Sequence, residues 1–153
     1  MKTVPVNLGT RSYTIYIGEG LLGKTGKLLE FSGYGKTVLL VSNSQVFQLY
    51  GGIVQSSLES CGFEVVPGIT GTGEEHKNLA TAEKLYDLAY TAGLDRRCAI
   101  LALGGGVVGD VAGFVAATYM RGVPLIQLPT TLLAQVDSSV GGKVAVNHPR
   151  GNN

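Results

Sequence analysis

Residues 99–117 read Ala-Ile-Leu-Ala-Leu, then Gly104-Gly105-Gly106-Val107-Val108-Gly109-Asp110, then Val-Ala-Gly-Phe-Val-Ala-Ala. An aliphatic run breaks into three glycines and resumes as a row of small apolar residues, which predicts strand, tight loop and helix. Glycine lets the backbone turn sharply and approach a ligand closely, and a helix start offers free N–H groups at the positive end of its dipole. Phosphate oxygens suit such a place, so the stretch predicts a nucleotide pyrophosphate there. Gly104-x-Gly106-x-x-Gly109 matches the dinucleotide fingerprint in letters. That fingerprint, however, belongs to a first βαβ unit with an acidic residue about 20 positions on. Here the glycines follow the third parallel strand, and the next strand ends in Pro129-Thr130. The expected sheet is nucleotide-binding but of a different layout. A plain glycine turn explains one or two glycines, and poorly explains three in a row followed by a carboxylate.

The alternation extends outward on both sides. Thr37 to Val41 is a continuous apolar run, as in a strand covered on both faces. Ser42 or Ser44 can cap a helix continuing to Cys61, with Gly62 as its C′ residue. Phe63 to Val66 reads as the next strand, stopped by Pro67-Gly68. Leu79, Ala82, Leu85, Tyr86 and Ala89 recur at helical spacing, and Gly93 closes that helix. Cys98 to Leu103 is the third strand, followed by a helix to about Tyr119, and Leu125 to Leu128 is the fourth. This order predicts an α/β fold with a doubly wound, mostly parallel, Rossmann-like sheet. Val4–Leu8 and Ser12–Ile17 flank Gly9-Thr10-Arg11 and predict an N-terminal β-hairpin, its second strand half-buried. Leu21 to Phe31 reads as a short helix weakened by Gly23 and Gly26. After Pro129, Thr130 to Val136 gives barely two helical turns, and Gly141-Gly142 breaks the chain. Val144 to Val146 is a candidate strand with nothing after it to pair with. The expectation is one nucleotide-binding α/β domain over residues 1–153, incomplete at its C-terminal end.

With 153 residues the chain is long enough for one well-buried core. A hydrophobic share of 44% and a net charge of +1 argue against disorder and against an electrostatic nucleic-acid binder. The 23 glycines are about twice the usual share and follow no period, so they read as loop chemistry. No stretch approaches the ~20 apolar residues of a membrane span, and Met1-Lys-Thr-Val-Pro-Val has no signal-peptide core. Cys61 and Cys98 read as buried free thiols rather than a disulfide. The expectation is a cytoplasmic protein with no membrane or nucleic-acid partner.

In open parallel sheets, ligands sit beyond the carboxyl ends of the strands. Ser42, Asn43 and Gln45 follow the first strand, and Gly71-Thr72-Gly73-Glu74-Glu75-His76-Lys77 follows the second. The triple glycine and Asp110 follow the third, and Thr130-Thr131 the fourth. Four polar or glycine-rich loops on one edge make a site. Each group also has a plain reading. Glu74 and Glu75 suit the acidic first turn of the next helix, with Lys77 solvated. Asp110 suits a helix dipole, and Thr130 and Thr131 suit a cap. Asp137 and Lys143 can form a surface ion pair worth under ~1 kcal/mol. Near phosphate-binding glycines, Lys143 can instead serve as an anion ligand or proton-transfer partner. Arg121 at a helix end can cap carbonyls or bind a phosphate. His76 and His148 show no metal spacing and read as exposed. There is no Walker-A lysine–serine pair, no Gly-x-Ser-x-Gly elbow and no Cys-x-x-Cys.

The residues from Gly104 to Asp110, Arg121-Gly122, Gln127-Leu128-Pro129-Thr130-Thr131 through Asp137-Ser138-Ser139-Val140-Gly141-Gly142-Lys143, and Val146-Asn147-His148-Pro149 closely resemble the 3-dehydroquinate synthase family. Gly73-Glu74-x-x-Lys77 matches it as well. The likeness covers the whole chain but only the N-terminal, NAD-binding half of the family's length. The Asp137–Lys143 run separates the chain from related cyclases that make deoxy-inosose or valiolone rings.

The resemblance implies a shikimate-pathway lyase that converts 3-deoxy-D-arabino-heptulosonate 7-phosphate (DAHP) to 3-dehydroquinate and phosphate. The route is oxidation, phosphate elimination, reduction and an intramolecular aldol step, with NAD returning oxidised. Carried over by motif, Asn43 would sit by the adenosine ribose. Thr72, Gly73, Glu74, Glu75, His76 and Lys77 would hold the dinucleotide, together with Gly105, Gly106, Val107, Val108, Gly109 and Asp110. Thr130 and Thr131 would lie on the nicotinamide side. Asp137, Lys143 and Asn153 would meet the substrate, with Lys143 and position 152 also on the cofactor side. Arg121 would reach the substrate phosphate across a homodimer interface. Two residues depart from the family: Asn152 stands where it has lysine, removing a cationic cofactor contact, and Val144 where it usually has threonine. The family's zinc or cobalt ligands, a glutamate and two histidines, lie in an α-helical C-terminal domain absent from these residues. The chain by itself is therefore expected to be inactive and to bind no metal. Two alternatives are an NAD domain like that of metal-dependent polyol dehydrogenases, and a non-catalytic nucleotide-binding module.

Overall fold

Four parallel strands form the central sheet of the computed structural model, which describes residues 1–153. The strands are β3 (Thr37–Asn43), β4 (Glu64–Thr70), β5 (Ile100–Gly104) and β6 (Leu125–Pro129), in the order β4-β3-β5-β6. Ahead of them, β1 (Lys2–Val6) and β2 (Tyr13–Ile17) make a separate antiparallel hairpin in which Val4 faces Ile15. Helices cover both faces, as a doubly wound sheet requires. α1 (Thr25–Leu29) and α3 (Gly52–Ser60) lie on one face, where Val54 and Leu58 bury against Val38, Leu40, Leu101 and Leu103. α4 (Leu79–Thr91) and α5 (Gly106–Thr118) lie on the other, where Ala82, Leu85, Val108, Val111 and Val115 bury against Leu39, Val41, Ile100 and Ala102. β3 and β5 carry apolar residues on both faces because both faces are covered.

Several boundaries differ from the sequence reading for identifiable reasons. β4 runs through Pro67 and Gly68 instead of stopping there. It is an edge strand, where a missing N–H on the outer side costs no ladder bond. Gly68 is buried, and a Cβ there would crowd Leu85 at 3.0 Å and Leu39 at 3.3 Å, so the strand carries a residue without one at that point. The helix after β3 is capped by Asn43, whose side chain accepts from the Val46 N–H at 2.9 Å, not by Ser42 or Ser44. Ser42 is fully buried and donates its hydroxyl to the Leu103 carbonyl at 2.8 Å, tying β3 to β5. That helix is also not continuous: α2 (Ser44–Val46) passes into a π-turn over Phe47–Gly51 before α3. Leu21 to Phe31 divides into a 3-10 turn, Leu21–Lys24, and the five residues of α1. β2 is exposed rather than half-buried, with Tyr16 41% and Ile17 51% accessible, because no element of these residues covers the hairpin. Cys61 is only half-buried, whereas Cys98 is buried, and both are free. Val144 to Val146 forms no strand; the segment instead lies along α5 and makes a single parallel bridge, Asn78 to Asn147.

Helix α5 approaches the sheet closely because its inner face is small. A Cβ on Gly109 would stand 2.9 Å from the Gln127 side chain, and one on Gly113 would overlap Val144. These two glycines serve packing. No helix is long and apolar enough to cross a membrane.

Candidate functional site

From β3 the chain steps outward to β4, then crosses back to β5 on the other side of β3. The crevice between the carboxyl ends of β3 and β5 is therefore the point where winding reverses, and side chains there are not covered by a crossover loop. Asn43 ends one of these strands and Gly104 ends the other.

Gly104-Gly105-Gly106 turns the chain from β5 into α5 within one residue. Gly104 is obligatory for packing, since a Cβ would lie 2.8 Å from Val108. Gly105 and Gly106 face the crevice, where added Cβ atoms would meet Thr131 at 3.3 Å and Ser138 at 3.4 Å. α5 opens on Gly105 with no side-chain cap, whereas α2 and α4 are capped by Asn43 and by Asn78, whose Oδ1 accepts from the Thr81 N–H at 2.8 Å. Of the helices that begin at the carboxyl ends of the strands, α5 is thus the one that starts without a side-chain acceptor and among bare glycines. An anion with bulk, such as a pyrophosphate, fits both features. Among the residues expected to hold the dinucleotide, Val107 is half-buried on the first turn. Val108 and Gly109 are buried beneath it against Gly104 and Gln127, so only their backbone is available.

Lys77 is not the solvated lysine of the plain reading. It is 6% exposed, and its Nζ lies 2.7 Å from Asp110 Oδ2, one turn into α5, and 3.8 Å from Glu74 Oε1. It also donates to the Asn153 carbonyl at 2.7 Å. Burial of an ammonium is tolerated only where it is paired and hydrogen-bonded, and these partners supply that. Lys77 is placed there by a tight turn: Gly73 takes φ +112, and Glu74–His76 forms a 3-10 turn. The His76 imidazole lies over Gly71, half-buried rather than exposed, while His148 is exposed. Thr72 and Glu75 stay on the outer side of this loop.

Segment 131–153 completes the edge. The Thr131 hydroxyl accepts from the Ala134 N–H at 3.2 Å, so Thr131 does cap the following helix, and Thr130 donates its N–H to the Gly104 carbonyl at 3.0 Å. Ala134–Ser138 is a π-turn rather than the two ordinary helical turns expected. Asp137, Lys143 and Asn153 line one concavity of about 370 Å³ together with Asp110 and Ser138. Asp137 and Lys143 make no ion pair with each other; the two close ion pairs both belong to Lys77. A second concavity of about 360 Å³ is lined by Glu74, Glu75, Lys77, His148 and Asn152 among others.

Arg121 is not brought to this edge. It follows α5 at the far end of the helix, where the Tyr119 hydroxyl donates to the Leu94 carbonyl, and it is exposed. Met120 and Arg121 adopt φ +48 and +66, a left-handed conformation costly for residues with a Cβ. The shifted protonation equilibria are also at that far end. A backbone N–H from Arg97 lowers the Asp95 carboxyl, and burial raises Cys98 and Tyr119. No group of three or more His, Cys, Asp or Glu side chains is placed to hold a metal ion.

Sequence reasoning missed two members of the site. Asn147 is hydrogen-bonded to Glu74 and to Asn153, and Ser138 faces Gly106. Nothing in spacing marks Asn147, which acts across 73 residues of sequence.

Comparison with known proteins identifies the family. The family model for the N-terminal part of 3-dehydroquinate synthase matches residues 68–153. A 3-dehydroquinate synthase of Pelotomaculum thermopropionicum is 66% identical over all 153 residues, which span 41% of that protein. A crystal structure of 2-deoxy-scyllo-inosose synthase complexed with carbaglucose-6-phosphate, NAD+ and Co2+ superposes with a TM-score of 0.91. It is 32% identical and covers 99% of this chain and 41% of that one. A 2-epi-5-epi-valiolone synthase from Streptomyces hygroscopicus subsp. jinggangensis, with NAD+ and Zn2+ bound, superposes at 0.82 with 28% identity, covering 97% of this chain and 41% of that one. The chain thus spans about two fifths of the length of the relatives it matches, and it belongs to the 3-dehydroquinate synthase family, of which it is the N-terminal part.

Proposed function

We propose that residues 1–153 form the NAD-binding domain of an enzyme converting DAHP to 3-dehydroquinate and phosphate. The observation that carries the cofactor assignment is the uncapped start of α5 between bare glycines at the winding reversal, 43–104. NAD bound there would take a hydride from a substrate hydroxyl and return it later in the same turnover. The chain's own residues hold and orient. Backbone N–H groups of Gly106 and Val107 would hold the pyrophosphate, with the α5 dipole favouring its negative charge. Asn43 keeps its Oδ1 for the cap and has its Nδ2 free for a ribose hydroxyl. Lys77 and Asp110 are locked to each other, and Asp110 lines the 370 Å³ concavity, so the pair would present a fixed polar edge to a cofactor. Asp137, Lys143 and Asn153 face that concavity from three different segments, which suits them to meet a polyhydroxylated phosphate ester, with Lys143 neutralising anionic charge. Arg121, exposed at the opposite end and held in a strained backbone, is suited to a second copy's substrate, which accounts for its distance from its own site.

Titration of NAD into the chain by calorimetry tests the assignment. Saturable 1:1 binding is expected, lost in Gly105→Val, whose side chain would fill the slot beside Thr131 while the circular dichroism spectrum stays unchanged. Absence of saturable binding by the unaltered chain would overturn it. The metal ligands implied by the resemblance lie outside the two fifths of the family length present here, so no dehydroquinate formation is expected from these residues alone. Phosphate release from DAHP by the purified chain would refute that.

A further inference from the structure

Three polar residues, Glu74 on its own loop and Asn147 and Asn153 from a distant segment, close a ring with Lys77. Asn147 Nδ2 donates to Glu74 Oε1 at 2.9 Å, and Asn147 Oδ1 accepts from the Asn153 N–H at 2.7 Å. The Asn153 carbonyl accepts from Lys77 Nζ at 2.7 Å, and Lys77 Nζ lies 3.8 Å from the same Glu74 oxygen. The ring is anchored twice more. The Asn147 backbone N–H donates to the Lys77 carbonyl at 2.8 Å, and Asn153 Nδ2 donates to the Val146 carbonyl at 2.7 Å. One side-chain amide therefore uses its donor on the loop that carries Lys77 and its acceptor on the segment that carries Asn153.

We infer that Asn147 is a positioning residue. By clasping the 73–77 loop to the 146–153 segment it holds the Lys77 ammonium on Asp110. Asn147 itself lines the 360 Å³ concavity and not the one that Asp137 and Lys143 line. An amide is the right group chemically, because the two partners demand opposite polarity: Glu74 needs a donor and the Asn153 N–H needs an acceptor. A carboxylate at 147 would satisfy Asn153 and repel Glu74. An alanine would release both. Linked hydrogen bonds of this kind support one another, so loss of the central member loosens the whole ring. This inference rests on the proposed NAD site only for its functional meaning; the clasp itself concerns how exposed Lys77 is.

The test is therefore made without cofactor. The chain is treated with a limiting amine-acetylating reagent, and the modification rate of each lysine is read by mass spectrometry, with melting temperature and NAD affinity measured in parallel. In the unaltered chain Lys77 should be the most protected lysine. Asn147→Ala should raise its rate about tenfold, the size that losing two ordinary hydrogen bonds implies, while Lys24, Lys36 and Lys84 keep theirs. Asn147→Asp should do the same through repulsion of Glu74. The double variant Asn147→Asp with Glu74→Gln restores a donor facing an acceptor and should return Lys77 to near its original protection. A merely space-filling residue would show no such rescue. Unchanged Lys77 reactivity in Asn147→Ala would overturn the inference. So would failure of the double variant to restore protection, which decides the matter if Asn147→Ala does not fold. Absence of NAD binding by the unaltered chain would instead count against the cofactor assignment and leave the clasp standing.

Discussion

Removing either partner of the Lys77–Asp110 pair should destabilise the chain, whereas removing both should nearly restore it. The pair is 2.7 Å long, with side chains 8% and 21% exposed. At an effective dielectric constant of about 20, the gross attraction at that distance is about 6 kcal/mol. Most of it offsets the desolvation of the two ions, so the gross figure is not the cost of mutation. Breaking a fully buried pair costs roughly 3–5 kcal/mol. Here Asp110 keeps one fifth of its surface in water, and Lys77 retains the Asn153 carbonyl and Glu74 as partners. Asp110→Asn should therefore cost about 2 kcal/mol, or some 4–8 °C in melting temperature for a chain of this size. Lys77→Met should cost less, because Asp110 can turn to solvent. The double variant should lie within about 1 kcal/mol of the original. Urea denaturation of all four proteins gives the coupling energy directly, and a value above about 1 kcal/mol is expected. NAD affinity should fall in all three variants, the double one included. Additive single effects, with coupling under about 0.5 kcal/mol, would show that the pair does not act as a unit. Undiminished NAD affinity in the stable double variant would remove both residues from the site.

Other changes separate packing from function. Gly26→Ala should cost at least ~3 kcal/mol because its Cβ would overlap the Ser57 backbone, while Gly52→Ala, with open space around it, should stabilise α3 by about 0.5–1 kcal/mol in the same denaturation assay. Asn43→Asp keeps the acceptor for the Val46 N–H but loses the amide donor, so it should weaken NAD binding without lowering stability; Asn43→Ala should also cost about 1 kcal/mol as a lost cap. Burial raises the Cys98 thiol, so iodoacetamide at pH 8 should alkylate Cys61 well before Cys98, and equal rates would refute that placement. The Asp95 carboxyl is held below its ordinary value of 3.8 by the Arg97 N–H, and a depressed carboxyl adds stability above its unfolded value that is lost as pH falls through the folded one. The destabilisation of Asp95→Ala should therefore be present at neutral pH and vanish in acid below that value.

Much of the architecture was legible in the sequence because local pattern and global environment coincide there. The apolar runs of β3 and β5 required two covered faces, and the sheet provides them. Alternation of strand and helix implied parallel winding, and the triple glycine implied a backbone that lets something approach. Where boundaries were misread, a distant partner had changed the meaning of a residue. Pro67 stops a strand only if its outer edge needs a bond, and an edge strand does not. Ser42 looked like a cap but was taken by Leu103, leaving Asn43 to serve.

The site divides in the same way. Sequence by itself determined the fold class, the glycine loop and the family, since each depends on patterns of residues read along the chain, without knowing which segments pack together. Tertiary structure alone decided that Lys77 is buried on Asp110, that Asp137 and Lys143 do not pair, that Arg121 lies at the opposite end of α5, and that Asn147 joins two loops. Those facts depend on strand order. Placing β3 between β4 and β5 brings residues 43, 77, 110 and 153 to one edge, and the order in which strands lie side by side is settled by packing among all of them together.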